Sequence, residues 1–438
     1  MWDHYLHEEH LENGDVASDH YHRFAEDIRM MKEGGQNAYR FSISWPRIIT
    51  DESGHVNQKG LDFYHEVIRA CRENGIEPFV TLYHWDLPQY LQKDGGWLNR
   101  ATCDAYVRFA ETVFREFNGE VSCWTTFNEP RWTIVNGYLI GNYPPGMHDG
   151  QMTAIGGYHI MLASALAVER FRSMKISGNI GIVHSYTPVE GVDSRPETLT
   201  AMRYADNFMN NWILDVAAKG EIPEDFLEAL KDKGIDLSFM KPEDLDAIRR
   251  NHVDFLGLNY YARALIKPYT SGETELTVNN KGKAAKGTTT TIIKGWFEQA
   301  RDPSSRYTEW DTEIYPRGLY EGLLKAWSRY HLPMYVTENG IGYYEDVSQG
   351  EVQDDWRVSF MNDHINAIMN AAEEGADVRG YFAWSSFDLY SWKNGCEKRY
   401  GLVAVDFAHG LKRTPKKSWH WYKTVAESNG DTIAREKY

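Results

Sequence analysis

The sequence predicts an α/β fold in which parallel strands form a barrel wrapped by helices. Three observations carry that expectation. Short apolar runs alternate with longer stretches of helical periodicity along most of the 438 residues, the pattern of repeated strand–helix units. Seven of those runs have the length and composition of strands. Every run after the first ends in polar or charged residues, as strands do when their C-terminal ends meet on one functional face. The expected architecture is a (β/α)8 TIM barrel forming one domain over residues 1–438, since such barrels exceed 250 residues as single units.

The elements follow in order. Residues 20–34 read as a helix, and AYRFSISW (38–45) as the first strand. A helix over 58–74 places Leu61, Tyr64, Val67, Ile68 and Cys71 on one face, and Gly75 stops it. EPFVTLYHWD (77–86) is a strand ending in His84, Trp85 and Asp86. Asn99 caps a helix that buries Tyr106, Phe109, Val113, Phe114 and Phe117. VSCWTTFNEP (121–130) is a strand ending at Asn128 and Glu129. A long helical stretch follows. Further strands are NIGIVHSY (179–186), VDFLGLNYY (253–261), LPMYVTENG (332–340) and VRGYFAWSSFD (378–388). Pro316 starts one intervening helix and Gly375 ends another. NNKGKAAKGTTTT (279–291), rich in Lys, Gly and Thr, reads as an inserted surface loop or hairpin.

Composition narrows the function classes. A formal net charge of −16 argues against nucleic acid or an anionic membrane as the main partner. An anionic small molecule would need a local basic patch set against that field. Cys71, Cys103, Cys123 and Cys396 lack C-x-x-C spacing and have no histidine cluster beside them, so neither a disulfide framework nor a structural metal is expected. A reduced cytoplasm fits best. The opening MWDHYLHEEHLENG has no basic or apolar segment of the signal-peptide kind, and no apolar run is long enough to cross a bilayer. Aromatics make up 14% of the chain, which serves core packing as readily as a pocket that stacks sugar rings.

Two strand-end acids, Glu129 and Glu338, carry the chemistry. Strand ends remote in sequence face each other across a barrel mouth. Retaining glycoside hydrolysis needs two carboxyls about 5–5.5 Å apart, one attacking the anomeric carbon and one exchanging protons with the leaving group and water. A lone strand-end glutamate is ordinarily a salt-bridge partner. Here the two lie in T-F-N-E-P (126–130) and T-E-N-G (337–340), which resemble the two signatures of glycoside hydrolase family 1. The similarity continues through S-I-S-W-P-R (42–47), Y-H-W-D-L-P (83–88), G-L-N-Y-Y (257–261) and K-R-Y-G-L-V (398–403), and covers nearly the whole chain.

The resemblance implies a retaining mechanism on a small-molecule β-glycoside, with no metal and no cofactor. It makes Glu338 the nucleophile, Glu129 the acid/base and Asn128 the donor to the sugar 2-hydroxyl. Arg40 and Tyr261 become the groups that hold the nucleophile, with Asn259 in the same strand-end motif as Tyr261. The acid/base is expected to titrate high, the more so once its neighbour is covalently engaged. His84 and Trp384 become sugar-binding residues.

The resemblance also bears on the sugar. Where relatives acting on unmodified glucosides have a glutamate, this chain has Ser391. A glutamate would repel a 6-phosphate, whereas a hydroxyl donates to it. Ser391, Lys398 and Tyr400 resemble a 6-phosphate clamp, and one cation plus two hydroxyls suits an anion. Trp392 resembles relatives that accept galactosides or both epimers. The expected substrate is a 6-phosphorylated β-galactoside or β-glucoside. The competing readings are an unphosphorylated substrate and an inactive sugar-binding barrel. Three departures stand out. Thr312 replaces a usual Trp, with Trp310 expected to stand in as an aglycone platform. Cys396 replaces a usual Tyr. Family members begin with a further strand whose Gln binds the sugar, and this chain starts beyond it; an opened barrel and impaired activity are the expectation.

Overall fold

The computed structural model describes residues 1–348 and 350–438. Seven parallel strands lie side by side in the order the chain makes them. They are β1 (Ala38–Ser42), β2 (Glu77–Tyr83), β3 (Cys123–Asn128), β4 (Asn179–Ser185), β5 (Phe255–Asn259), β6 (Met334–Asn339) and β7 (Val378–Ala383). Helices cross between them, among them Gln58–Glu73, Ala101–Phe117, Gly150–Ser173, Pro316–Tyr330 and Asp355–Glu373. Each helix lays its apolar stripe on the sheet: Leu61, Tyr64, Val67, Ile68 and Cys71 are all buried, as are Tyr106, Phe109, Val113, Phe114 and Phe117. Inside the barrel, Phe79 packs edge-on against Phe255, Tyr335 and Phe382, with centroids 5.1–5.5 Å apart. Rings from β2, β5, β6 and β7 therefore meet across the interior, which is a packed core and not a pore.

All seven predicted strands are present, and each ends earlier than its apolar run. At β2 and β3 the reason is local. Trp85 (φ 76°) and Glu129 (φ 46°) adopt left-handed backbone just past β2 and β3. A side chain in that region leaves the ladder and turns toward the mouth, at a cost in strain that functional sites tolerate.

The sheet does not close. Among the described residues β1 pairs only with β2 and β7 only with β6. Between the two free edges lies a cavity of about 290 Å³, lined by Tyr39, Arg40, Tyr381, Phe382 and Trp384 among others. Ser386 bridges the gap by donating to Gln36 Oε1 at 2.7 Å. Residues 1–37 supply helices Trp2–Glu8 and His20–Glu33 and no strand. The first of these helices was not foreseen.

One further feature escaped the sequence reading, whereas the hairpin expected around 279–291 is present within it. A five-stranded sheet built from 189–191, 264–268, 275–277, 290–293 and 297–300 flanks the mouth. Within it, 275–277 and 290–293 pair antiparallel, so the Lys/Gly/Thr-rich stretch is the connection of a hairpin. No helix of the described residues is long and apolar enough to cross a membrane.

Candidate active site

At the C-terminal face of the barrel one cavity of about 810 Å³ is lined by both Glu129 and Glu338. Both are nearly sealed from solvent, at 6% and 4% exposed. A continuous chain of hydrogen bonds joins them. Arg40 Nη1 donates to Glu338 Oε1 at 2.8 Å, and Arg40 Nη2 donates to Asn128 Oδ1 at 2.5 Å. Asn259 Nδ2 donates to the same Asn128 oxygen at 3.2 Å and to Glu129 Oε1 at 2.9 Å. Thr337 Oγ1 fixes the Asn259 amide by donating to its Oδ1 at 2.7 Å. Tyr261 OH completes the cradle, donating to Glu338 Oε2 at 2.9 Å. Four strand ends thus determine the relative placement of two acids that are remote along the chain.

The same network assigns protons. The Asn128 oxygen accepts from Arg40 and Asn259, so its nitrogen must be the atom 3.1 Å from His84 Nε2. That nitrogen can only donate, so Nε2 of His84 accepts and its proton sits on Nδ1. Burial, with the nearby Arg40 charge, pushes the imidazole down to about 3, which keeps it neutral. Burial and the adjacent Glu338 charge hold the Tyr261 hydroxyl well above its usual range, so it remains a donor.

Glu129 is the perturbed acid. Burial, then the Glu338 charge, push its carboxyl up to about 8, against the Asn259 hydrogen bond and the Arg131 and Arg40 charges. The expectation of a high-titrating acid/base agrees with this. The expected further rise on covalent engagement is reversed. Esterifying Glu338 removes its negative charge, the second-largest cause of the shift, so the Glu129 carboxyl must fall at that stage.

The remaining predicted residues fall around the same space. Asn259, Tyr261, His84, Trp384, Ser391, Trp392, Lys398 and Tyr400 all line the cavity. Arg40 and Asn128 lie against the lining groups Glu338, His84 and Asn259. Trp384 is brought into place by an unusually close approach: a Cβ on Gly340 would lie 1.9 Å from the Trp384 carbonyl oxygen, so only glycine fits there. Lys398 makes no ion pair among the described residues. Its Nζ lies 5.1 Å from the Trp310 ring centroid and 5.2 Å from that of Tyr400. Gly342 gives it room, since a Cβ there would meet Lys398 Cγ at 2.6 Å. Trp310 is only 1% exposed and stacks on Tyr344, so it underlies Lys398 and is not an aglycone platform. That expectation fails because the ring is already covered on both faces.

The loop bearing Ser391, Lys398 and Tyr400 is anchored at its base by buried ions. Asp388 accepts from Arg399 Nη1 at 2.7 Å and Lys416 Nζ at 2.8 Å. Arg357, 1% exposed, donates to the Tyr400 carbonyl at 2.7 Å and to Asp354 Oδ2 at 2.8 Å. Burial pushes the Asp388 carboxyl up, yet Lys416 and Arg399 hold it below its ordinary value.

Sequence reasoning missed several groups at the cavity. Trp2, from the first helix, stacks flat on Trp392 with centroids 4.7 Å apart. Asn280, in the hairpin connection, accepts from Asn394 Nδ2 at 3.0 Å and so ties that hairpin to the Ser391 loop. Arg131 and Ser185 also line the wall. Only Arg131 left a signal, as a lone cation in the apolar stretch after the strand end.

Comparison with known proteins gives the following. The Glycosyl hydrolase family 1 model matches residues 1–431. A 6-phospho-β-galactosidase of Clostridium acetobutylicum is 40% identical over 440 residues, covering 97% of this chain and 91% of its own. An aryl-phospho-β-D-glucosidase of Bacillus subtilis is 38% identical over 428 residues, covering 96% and 89%. The solved structure of the family 1 β-glucosidase from Thermotoga maritima superposes with a TM-score of 0.86 at 36% identity, covering 96% of this chain and 89% of that one.

Proposed function

The chain belongs to glycosyl hydrolase family 1, and from that membership we propose that it cleaves 6-phosphorylated β-galactosides and β-glucosides with retention, Glu338 acting as nucleophile and Glu129 as acid/base. The observation that carries this is the hydrogen-bonded chain Glu338–Arg40–Asn128–Asn259–Glu129 around one cavity. In the first step a Glu338 carboxylate oxygen bonds to the anomeric carbon while protonated Glu129 gives its proton to the departing glycosidic oxygen. The leaving alcohol exits and a glycosyl ester remains. Glu129, now ionised, takes a proton from water, whose oxygen bonds to the anomeric carbon and releases Glu338. Arg40 and Tyr261 offer two donors to the Glu338 carboxylate, the setting an anionic nucleophile calls for. His84 Nδ1–H and the remaining Asn128 amide proton serve sugar hydroxyls, Asn128 at the 2-position.

The 6-phosphate reading is supported by Lys398, a cation with no carboxylate partner among the described residues, beside Ser391 and Tyr400 on the cavity wall, and by the chain's similarity to a 6-phospho-β-galactosidase and an aryl-phospho-β-D-glucosidase. Free thiols at all four cysteines and a phosphorylated substrate both suit a reducing cytoplasm. The test compares nitrophenyl β-galactoside and β-glucoside with their 6-phosphates. Faster turnover of the unphosphorylated compounds would refute the phosphate reading. A 2-deoxy-2-fluoro glycoside 6-phosphate should add its glycosyl mass to the Glu338 peptide, and an adduct elsewhere would reassign the nucleophile.

A further inference from the structure

Arg131 is a buried cation that the mechanism leaves unused. It lies two residues beyond Glu129, in the short helix Pro130–Ile134, and is 5% exposed. Among the described residues it has no ion pair. Its Nη2 donates to the Ser185 carbonyl at 3.2 Å, to Ser185 Oγ at 2.9 Å and to Thr187 Oγ1 at 3.2 Å. Nε makes no hydrogen bond, and Nη1 takes part in none of the three bonds above. A guanidinium held by neutral oxygens in a dry site lacks the counter-charge that ordinarily compensates burial. Burial pulls it down to about 10, with only the Glu129 charge acting in the other direction.

Ser185 repeats the pattern. Its Oγ accepts from Arg131 and from Trp132 Nε1, the latter at 2.5 Å. A hydroxyl accepting twice still has its own proton to give. Both side chains line the same cavity as Glu129. This wall is distinct from the Ser391–Tyr400 loop. It adjoins Glu129, the proton donor to the departing oxygen in the proposed mechanism.

We propose that Arg131 and Ser185 form an anion-binding position for the leaving group, favouring β-glycosides whose leaving group carries a carboxylate. The inference rests on Glu129 being the proton donor to that group. A guanidinium with uncommitted N–H groups beside a hydroxyl proton matches a carboxylate.

Two measurements test it. In the first, kcat/KM is compared for 4-nitrophenyl and 3-carboxy-4-nitrophenyl β-galactoside 6-phosphates, whose leaving groups have similar acidity. The intact protein should favour the carboxylated compound by roughly tenfold or more, the worth of one charge-assisted hydrogen bond. Arg131→Gln should erase that preference while keeping turnover of the neutral compound, and Arg131→Lys should restore part of it. Equal rates in the intact protein, or an equal loss on both compounds in Arg131→Gln, would overturn the proposal. So would a loss confined to discrimination between phosphorylated and unphosphorylated sugars, which would make Arg131 a phosphate ligand. In the second, binding of 3-hydroxybenzoate and its methyl ester is followed by tryptophan fluorescence, which requires no turnover. Tighter binding of the acid, lost in Arg131→Gln, is expected; identical affinities would sink the idea. If no phosphorylated glycoside is hydrolysed while the acid still binds selectively, the catalytic reading fails and the leaving-group role with it, whereas the anion-binding position at Arg131 and Ser185 stands.

Discussion

At the scale of single residues the two acids were legible because each sits in a short motif at a strand end. Their division of labour came only from the family resemblance and not from the residues themselves, because physically it depends on burial and on partners brought from other strands. Glu129 must be protonated to start the cycle, so kcat/KM should fall as pH rises through about 8. Asn259 donates to that carboxylate and favours its ionised form. Asn259→Ala should therefore move the alkaline limb to higher pH, and a limb that stays put would remove Asn259 from the proton balance. Glu129→Gln should slow cleavage of a poor leaving group by about 10²–10⁴-fold, the usual worth of general acid catalysis, while a nitrophenolate suffers less. Stability has its own sign. A carboxyl raised by folding contributes stability below its unfolded value and loses it as pH climbs through the folded one. Glu129→Gln should thus melt higher than the parent at pH 8.5 and show no such gain at pH 4, a pair of results that calorimetry reads directly.

At the scale of elements, hydrophobic periodicity located all seven barrel strands and the helices over 20–34 and 58–74 to within a residue or two of the observed helix ends. It placed the strand ends too late, at β2 and β3 because Trp85 and Glu129 leave the ladder through left-handed backbone, a choice that apolar patterning does not encode. The five-stranded sheet at the mouth went unseen since its strands are short and its apolar residues few. The Trp2–Glu8 helix carries only Trp2 and Leu6 as buried residues in a polar run, too sparse a stripe to announce itself. Close approach of elements also escapes the sequence. Gly340→Ala would press a methyl into the Trp384 carbonyl and should cost about 3 kcal/mol or more as an overpacked contact, with a matching drop in activity as Trp384 shifts. Arg357→Met leaves Asp354 without its buried cation and Glu345 with Lys416 alone and should cost about 3–5 kcal/mol. At a temperature where the variant is still folded, it should raise KM for the phosphorylated substrate more than it lowers kcat.

At the scale of the whole molecule, the barrel class could be read from the alternation of strands and helices, and the opened sheet from the departure from the family pattern, but the cavity between the free edges and the Ser386–Gln36 bridge across it are properties of assembly. Backbone amides on β1 and β7 that lack a ladder partner exchange through smaller openings than those in the middle of a sheet. Hydrogen exchange should therefore be fastest at the outward amides of Ala38–Ser42 and Val378–Ala383 and slowest across β3, β4 and β5. Uniform protection over all seven strands would show the seam to be sealed in solution. The acidic surface has a separate effect. With a net charge of −16, a dianionic substrate approaches against the overall field, so added salt should speed its capture up to the point where it also weakens Lys398. The clamp beneath the Ser391–Tyr400 loop has a consequence for how such a protein can change. Asp388, Lys416, Arg399 and Arg357 grip the feet of that loop, while its crown meets other segments through Trp392 stacked on Trp2, Tyr390 donating to the Glu12 carbonyl, Lys393 donating to the Asn142 carbonyl and Asn394 donating to Asn280. A crown grafted from a cousin must therefore bring its partners around Trp2, Glu12, Asn142 and Asn280 with it, and taste for one sugar or another becomes a module that is exchanged together with its outer seat.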